Sequence, residues 1–299
     1  MIEVFLNGLI VSSIFLIGLL TMICISRPVL RRLGGAQWAY ASWLFLPLPI
    51  VLQLIPKPGW PAGFIDDWFS DGIGLFSRVL ESFPLFAPAA LLIWFVGFAV
   101  SCWISASRHR ALYATIKVNS RPVSEAATAA FRDTCEKLRV FPAPRFLASS
   151  ALSSPALIGI ASPTVAVPED FFERFSPAER DLMLRHELTH IIRRDLLRNL
   201  MFETIRCSFW FLPILRYVER AFRTDQELAC DCAVLWDEPN AVRADYVVAL
   251  TKVTCSAADR TLFPQFKTST KQVLQRAVAV RLHRARPIRG ALCFLTLAL

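Results

Sequence analysis

One short segment of the sequence has residue types and a spacing that could bind a catalytic metal ion. It reads His186-Glu187-Leu188-Thr189-His190, the H-E-x-x-H pattern, and it holds two of the four histidines in the chain. On a helix, residues four apart lie on one face, so both imidazoles can reach the same ion, and Glu187 is turned toward the water that the ion holds. The pattern predicts a zinc site with Glu187 as its catalytic residue. The alternative is a surface helix with two unrelated histidines.

The residues around this motif predict a helix with a metal-binding inner face. Ser176-Pro177-Ala178-Glu179 has the form of a capping box, with Ser at the N-cap and Glu at N3, and no Gly or Pro follows until after about Met201. Hydrophobic residues and both histidines recur at spacings of three and four, which gives one inward face. Four arginines are expected on the solvated or headgroup-facing side: Arg180, Arg193, Arg194 and Arg198.

A catalytic zinc ion normally takes three protein ligands, so one more is needed besides His186 and His190. The best candidate is Glu227, in a second helical segment that also carries Asp231. Residues four apart share a face, so Glu227 can bind zinc while Asp231 accepts the outer N–H of a ligating histidine. The alternative for this pair is an exposed acidic edge. No residue is clearly placed to stabilise an oxyanion, although Tyr246 and Arg243 are candidates.

The eight cysteines are scattered and contain no C-x-x-C pair, which is typical of reduced thiols. Cys230 and Cys232 flank Asp231 and could be read as metal ligands. Helix positions two apart do not face each other, so packing is the preferred interpretation.

Several segments together resemble the BlaR/MecR-type membrane metallopeptidases. They are the H-E-L-T-H motif, the aromatic and proline stretch at 209–213, and E-L-A-C-D at 227–231. The segment 154–168 is similar to the strand region that precedes the active-site helix in that family. The resemblance covers roughly residues 85 to 290.

This resemblance implies a zincin-like α+β domain that hydrolyses peptide bonds with a His, His, Glu zinc site, which maps onto His186, His190 and Glu227. It also implies a signalling protease that cleaves a cytoplasmic repressor or itself. The sequence ends at Leu299 without a penicillin-binding sensor domain, so recognition of β-lactams is not expected.

The composition predicts a membrane protein, because 55% of the residues are hydrophobic and only 19% are charged. Three transmembrane helices are predicted, at 5–25, 37–55 and 85–104, in a membrane domain of residues 1–105. The apolar run 291–299 is expected to begin a fourth span or to form a short anchor. A signal peptide is the alternative for the first span, and a re-entrant hairpin is the alternative for the second, which contains two prolines.

The distribution of Lys and Arg predicts the orientation of these spans. Basic residues follow the first and third spans and precede the last apolar run, whereas the loop at 56–83 is mostly acidic. By the positive-inside rule the N-terminus lies outside, and the metallopeptidase domain, residues 106–290, is cytoplasmic. The predicted fold is therefore a multi-pass α-helical protein of a bacterial-type inner membrane with a cytoplasmic α+β zincin-like domain.

The net charge of +9 predicts contact with anionic lipids of the inner leaflet. Direct nucleic-acid binding is not expected, since no helix-turn-helix, finger or ribonucleoprotein motif is present. The aromatic segment 207–217 is expected to lie against the bilayer or to pack on the spans.

Short apolar runs bounded by prolines predict strands at 139–147, 156–160 and 164–167. We expect Thr164, Val165, Ala166 and Val167 to form an edge strand that pairs with an extended substrate, with a plain structural hairpin as the alternative.

Taken together, the sequence predicts an integral-membrane zinc endopeptidase that cleaves a regulatory protein substrate such as a repressor. A constitutive quality-control protease and a non-catalytic signalling scaffold are the alternatives.

Overall fold

The computed structural model describes residues 2–54, 85–260 and 270–282, which are mostly helical with one small mixed sheet. The α-helices are α1 Ile2–Gly34, α2 Ala36–Ala41, α3 Leu48–Leu54, α4 Phe86–Val118, α5 Glu125–Lys137, α6 Phe171–Arg174, α7 Pro177–Ile192, α8 Asp195–Ser208, α9 Ile214–Val234, α10 Asn240–Arg260 and α11 Thr270–Leu282. A 3₁₀ helix covers Ser42–Phe45, and the strands are β1 Ser120–Pro122, β2 Arg145–Ser149, β3 Ala156–Ile158 and β4 Thr164–Pro168. The predicted apolar run at 291–299 and the loop at 56–83 lie outside these residues.

Two helices, α1 and α4, are long and apolar enough to cross a membrane. Helix α1 contains the span predicted at 5–25, α4 begins one residue after the start of the span predicted at 85–104, and each helix continues beyond the predicted end. Large apolar side chains such as Ile25 and Leu92 are exposed along them, as lipid-facing residues would be. How many times the chain crosses the membrane, and in which direction, stays a prediction.

The span predicted at 37–55 is divided into three short pieces: α2, the 3₁₀ helix and α3. Pro47 and Pro49 account for the break, because each lacks a backbone N–H and crowds the preceding turn. Gly35, with φ of 76°, turns the chain from α1 into α2. The first two pieces pack on α9, where Gln37 and Trp43 donate hydrogen bonds to Ala229 and Asp225.

The aromatic segment before α9 packs on α4, as one of the two predicted alternatives requires. Trp210 Nε1 donates to the carbonyl oxygen of Trp94 at 3.3 Å, and Trp94 Nε1 donates to that of Ser208 at 3.0 Å. The Trp210 ring lies over Gly97, where any Cβ would come within 2.1 Å of the indole. Only glycine therefore fits at this contact between α4 and the segment that precedes α9.

The four strands lie in the order β1-β2-β4-β3, with β2 and β4 parallel and the outer pairs antiparallel. The prediction that Thr164 to Val167 form an edge strand is wrong, because β4 pairs with β2 on one side and β3 on the other. All five residues of β4 are buried. An unbroken apolar run is typical of an inner strand covered on both faces, and this signal outweighs the flanking prolines. Within the described residues, the edge strand nearest to the motif helix α7 is β3.

The helix that carries H-E-x-x-H starts as predicted and ends earlier than expected. The capping box of Ser176 and Glu179 is present. The helix stops at Ile192, and Arg194 adopts a left-handed conformation with φ of 55° before α8 begins. Two arginines expected to be solvated, Arg193 and Arg198, are buried instead, because this reversal turns them toward Tyr40 and Asp195.

A buried carboxylate on α9 joins that helix to the first long helix, α1. Asp225 on α9 is fully buried and accepts hydrogen bonds from Arg27 Nε at 2.6 Å, Arg31 Nε at 3.0 Å and Trp43 Nε1 at 2.9 Å. Two of the arginines that predicted the membrane orientation therefore also hold α1 against α9.

Asp225→Ala should lower the free energy of unfolding by about 3–5 kcal/mol, because it leaves two buried or half-buried cations without their partner. Unfolding by guanidinium in detergent micelles, followed by tryptophan fluorescence, measures the effect. The control is Asp133→Ala, which removes an exposed pair with Lys137. Equal unfolding curves for the two variants would contradict the assignment of Asp225 as the junction.

Candidate metal centre

The two motif histidines are brought together one helical turn apart on α7. His186 is buried and His190 is nearly so, and their Nε2 atoms lie 3.2 Å apart. The rings are almost perpendicular, at 89°. Helix α7 holds this geometry because its apolar side packs on the sheet through residues such as Leu184 and Leu188.

The outer nitrogen of each histidine faces a hydrogen-bond acceptor. His190 Nδ1 lies 2.7 Å from Asp195 Oδ2, and since a carboxylate can only accept, Nδ1 carries the proton. His186 Nδ1 lies 2.9 Å from the Tyr246 hydroxyl oxygen and 3.2 Å from Asp231 Oδ1. The Tyr246 hydroxyl donates to Asp231, so its oxygen is free to accept from His186. In the neutral form of each ring, Nε2 therefore carries the lone pair, and the two Nε2 atoms face the same small space.

Two facing lone pairs repel unless a cation lies between them. Two imidazole nitrogens bound tetrahedrally to one zinc ion, at about 2.0–2.1 Å each, would lie about 3.4 Å apart. The 3.2 Å separation is close to that value. Glu227 Oε2 lies 3.4 Å from His186 Nε2, and Glu227 Oε1 lies 3.7 Å from His190 Nε2. The three side chains therefore fit a divalent ion with one position left for water or substrate.

Cys230 offers a competing donor set. One imidazole nitrogen from each histidine and Cys230 Sγ lie within 4.8 Å of one another. The thiol is fully buried and donates to the backbone carbonyl oxygen of His186 at 3.4 Å. Glu227, whose two oxygens lie 3.4 and 3.7 Å from the Nε2 atoms, stays the predicted third ligand, and Cys230 is the alternative.

A buried arginine that the sequence did not predict as part of the site neutralises both carboxylates of α9. Arg276 on α11 donates to both oxygens of Asp231, at 2.7 and 2.8 Å, and its Nη1 lies 3.1 Å from Glu227 Oε2. Burial alone would raise the pKa of Asp231, but Arg276 and a hydrogen bond with His186 lower it to about 2. Burial likewise raises the pKa of Glu227, and Arg276 and the histidines outweigh it and hold that pKa well below its usual range.

The three remaining candidate residues, Glu187, Tyr246 and Arg243, lie in different surroundings. Glu187 is half-buried on α7, next to His186. Tyr246 lies behind His186, on its Nδ1 side, so its hydroxyl cannot reach an oxyanion at the Nε2 side. Arg243 donates to the carbonyl oxygens of Leu235 and Glu238 and so closes the end of α9. Neither candidate for oxyanion stabilisation is therefore placed at the centre.

Asp195 is the most important site residue that sequence reasoning missed. It is buried, and it contacts His190 only because Arg194 reverses the chain between α7 and α8. An acidic residue five positions after the second histidine was a weak signal on its own. No Gly or Pro marks the reversal, so no local signal predicted that the helix would end there.

The donor set and the helix that carries it are those of a metallopeptidase-type centre, built from H-E-x-x-H and a carboxylate from a later helix. The chain belongs to the BlaR1 peptidase M56 family, whose model matches residues 84–280. This match confirms the resemblance to BlaR/MecR-type membrane metallopeptidases.

Among known proteins, the chain is similar to the regulatory protein BlaR1 of Bacillus licheniformis, with 27% identity over 226 residues, or 72% of this chain and 36% of that protein. It is also similar to the methicillin resistance mecR1 proteins of Staphylococcus aureus (strain Mu50) and Staphylococcus epidermidis, with 29% identity over 87 residues, or 29% of this chain and 15% of theirs. The chain thus spans about a third or less of the length of the curated relatives it matches.

Glu227→Ala should lower zinc affinity by more than the about 100-fold that loss of an outer hydrogen-bond partner can cost, because it removes a carboxylate whose two oxygens approach the two imidazoles. Cys230→Ser should leave the affinity nearly unchanged. Competition with a chromophoric chelator, using the purified full chain in micelles, measures both. The opposite order of effects would assign the third position to the thiol.

Proposed function

We propose that this chain is a membrane-anchored zinc endopeptidase in which His186, His190 and Glu227 hold the metal and Glu187 is the general base. The observation that carries the proposal is the close approach of three donor side chains on α7 and α9: the two Nε2 atoms lie 3.2 Å apart, and the two Glu227 oxygens lie 3.4 and 3.7 Å from them. A purely structural zinc site would be closed by a fourth protein ligand, whereas this set leaves one position open.

The chemistry divides between the ion and the chain. When bound, a zinc ion lowers the pKa of a coordinated water toward about 7 and polarises a carbonyl. Glu187 takes the proton of the attacking water and passes it to the leaving amine. Asp195 fixes the tautomer of His190, and Asp231 with Tyr246 does the same for His186, so both ligands present their Nε2 atoms without reorganisation.

The substrate strand is proposed to pair with β3. Ala156–Ile158 pairs with β4 on one side and lies beside α7, which carries the metal-binding motif. An extended polypeptide added to the other side of β3 would run past the metal centre with its backbone hydrogen-bonded. This arrangement recognises an extended backbone rather than a folded surface.

The centre is proposed to lie on the cytoplasmic side of a multi-pass protein. Arg27 and Arg31, at the C-terminal end of α1, bond to Asp225, which is two residues before Glu227. That end of α1 and the metal centre therefore share one side, and the positive-inside rule assigns it to the cytoplasm. We expect an added protease to cleave the helices that carry the metal centre, α7 and α9, in inverted vesicles but not in intact spheroplasts.

Regulated cleavage of a protein partner is the proposed role, since one relative is named a regulatory protein and others are named for methicillin resistance. A repressor is the partner that this role suggests. An intact base, three donor atoms and their outer partners argue against a non-catalytic scaffold.

Glu187→Gln should keep the zinc content of the wild type and lower peptide cleavage by about 10²–10⁴-fold, because the amide cannot accept the water proton. The assay incubates the purified full chain in micelles with a defined peptide library and identifies cleaved bonds by mass spectrometry, with zinc measured by atomic absorption. His186→Ala, which should lose both zinc and cleavage, is the control.

Two results would count against this account. Wild-type activity in Glu187→Gln would show that Glu187 is not the general base. Cleavage without zinc would show that the reaction does not need the metal. Cleavage without sequence preference would instead favour a quality-control protease over a regulatory one.

A further inference from the structure

A tyrosine from the segment that follows the first long helix reaches the metal centre through one carboxylate. The Tyr40 hydroxyl donates to Asp195 Oδ1 at 2.8 Å, and the other oxygen of Asp195 accepts from His190 Nδ1 at 2.7 Å. Tyr40 is 3% exposed and Asp195 is 1% exposed. Two direct hydrogen bonds therefore connect α2 to a candidate metal ligand.

The position of the Tyr40 hydroxyl is fixed from several sides. Gln226, the residue before Glu227, donates to it through Nε2 at 2.8 Å. The guanidinium groups of Arg193 and Arg198 lie 4.8 and 5.0 Å from the centre of its ring. The hydroxyl thus has one donor, Gln226, and one acceptor, Asp195, and it cannot rotate away without losing both.

Two longer contacts also reach the Asp195 carboxylate within the described part of the chain. Arg193 Nε and Arg198 Nη1 each lie 3.4 Å from one of its oxygens, which is longer than a usual N–H···O hydrogen bond. The short bonds to Tyr40 and His190 therefore set the plane of the carboxylate. Loss of the Tyr40 bond would leave the carboxylate free to turn toward the arginines and away from the imidazole.

We propose that Tyr40 is a positioning residue of the metal centre, whose hydroxyl acts through Asp195 to keep the Nε2 atom of His190 directed at the metal. This inference rests on the proposed zinc site. It assigns a role in the peptidase centre to a residue that precedes the family match at 84–280. The peptidase helices would then be incomplete as a metal site without the segment after α1.

The test compares zinc affinity and the absorption spectrum of the Co²⁺-substituted full chain, purified in micelles, for the wild type and three variants. Tyr40→Phe should weaken zinc binding about 10-fold, the low end for loss of an outer partner of a metal-binding histidine, and should shift the Co²⁺ ligand-field bands. Tyr217→Phe, which alters an exposed tyrosine on α9, should change neither.

Trp43→Phe is the matched control for a general loss of packing. It removes a buried hydrogen bond of 2.9 Å from the same segment, but that bond goes to Asp225, which does not contact either histidine. Its Co²⁺ spectrum should match that of the wild type. Equal zinc affinity in Tyr40→Phe and the wild type, or an equal loss in Tyr40→Phe and Trp43→Phe with unchanged spectra, would overturn the positioning role. A wild type that binds no zinc would instead overturn the proposed function on which this inference rests.

Discussion

The arrangement of the centre depends on one electrostatic constraint: when both rings are neutral, two unprotonated Nε2 atoms repel each other across 3.2 Å. The Nδ1 atoms are already held by other partners, Asp195 for His190 and the Tyr246–Asp231 pair for His186, so the Nε2 atoms are the ones that can bind a shared cation. A cation between the Nε2 atoms is therefore the natural partner, and the nearby Glu227 carboxylate completes a three-ligand set. Without that cation, the buried pair would cost stability rather than add it.

The same centre explains why helices from distant parts of the sequence meet at one place. Helix α9 supplies Glu227 to the metal site and Asp225 to α1, while Tyr40 joins α2 to the His190 side. Arg276 of α11 closes the other side by binding Asp231. The long apolar helix and the peptidase helices are thus tied by buried polar bonds, which require fixed partners, rather than by apolar contacts alone, which tolerate sliding.

Local signals in the sequence predicted the elements that carry the chemistry. The capping box of Ser176 fixed the start of α7, and the four-residue spacing placed the histidine pair on one face. What failed were features that depend on tertiary contacts. No glycine marks the reversal at Arg194, which places Asp195 beside His190. The hydrogen bonds from the apolar run at 37–55 to α8 and α9 were likewise not predicted, while its assignment as a span stays a prediction. The edge of the sheet was misassigned because pairing on both sides of β4 is not visible in composition.

The identity of the atoms around the metal tests this account most directly. X-ray absorption at the zinc edge of the purified full chain should show two imidazole nitrogens and one carboxylate oxygen at about 2.0–2.2 Å, with a further light atom from water. The spectrum of Glu227→Ala should lose an oxygen or show no bound zinc. A sulfur neighbour at about 2.3 Å would place Cys230 in the site instead, and a wild-type protein without zinc would contradict the account as a whole.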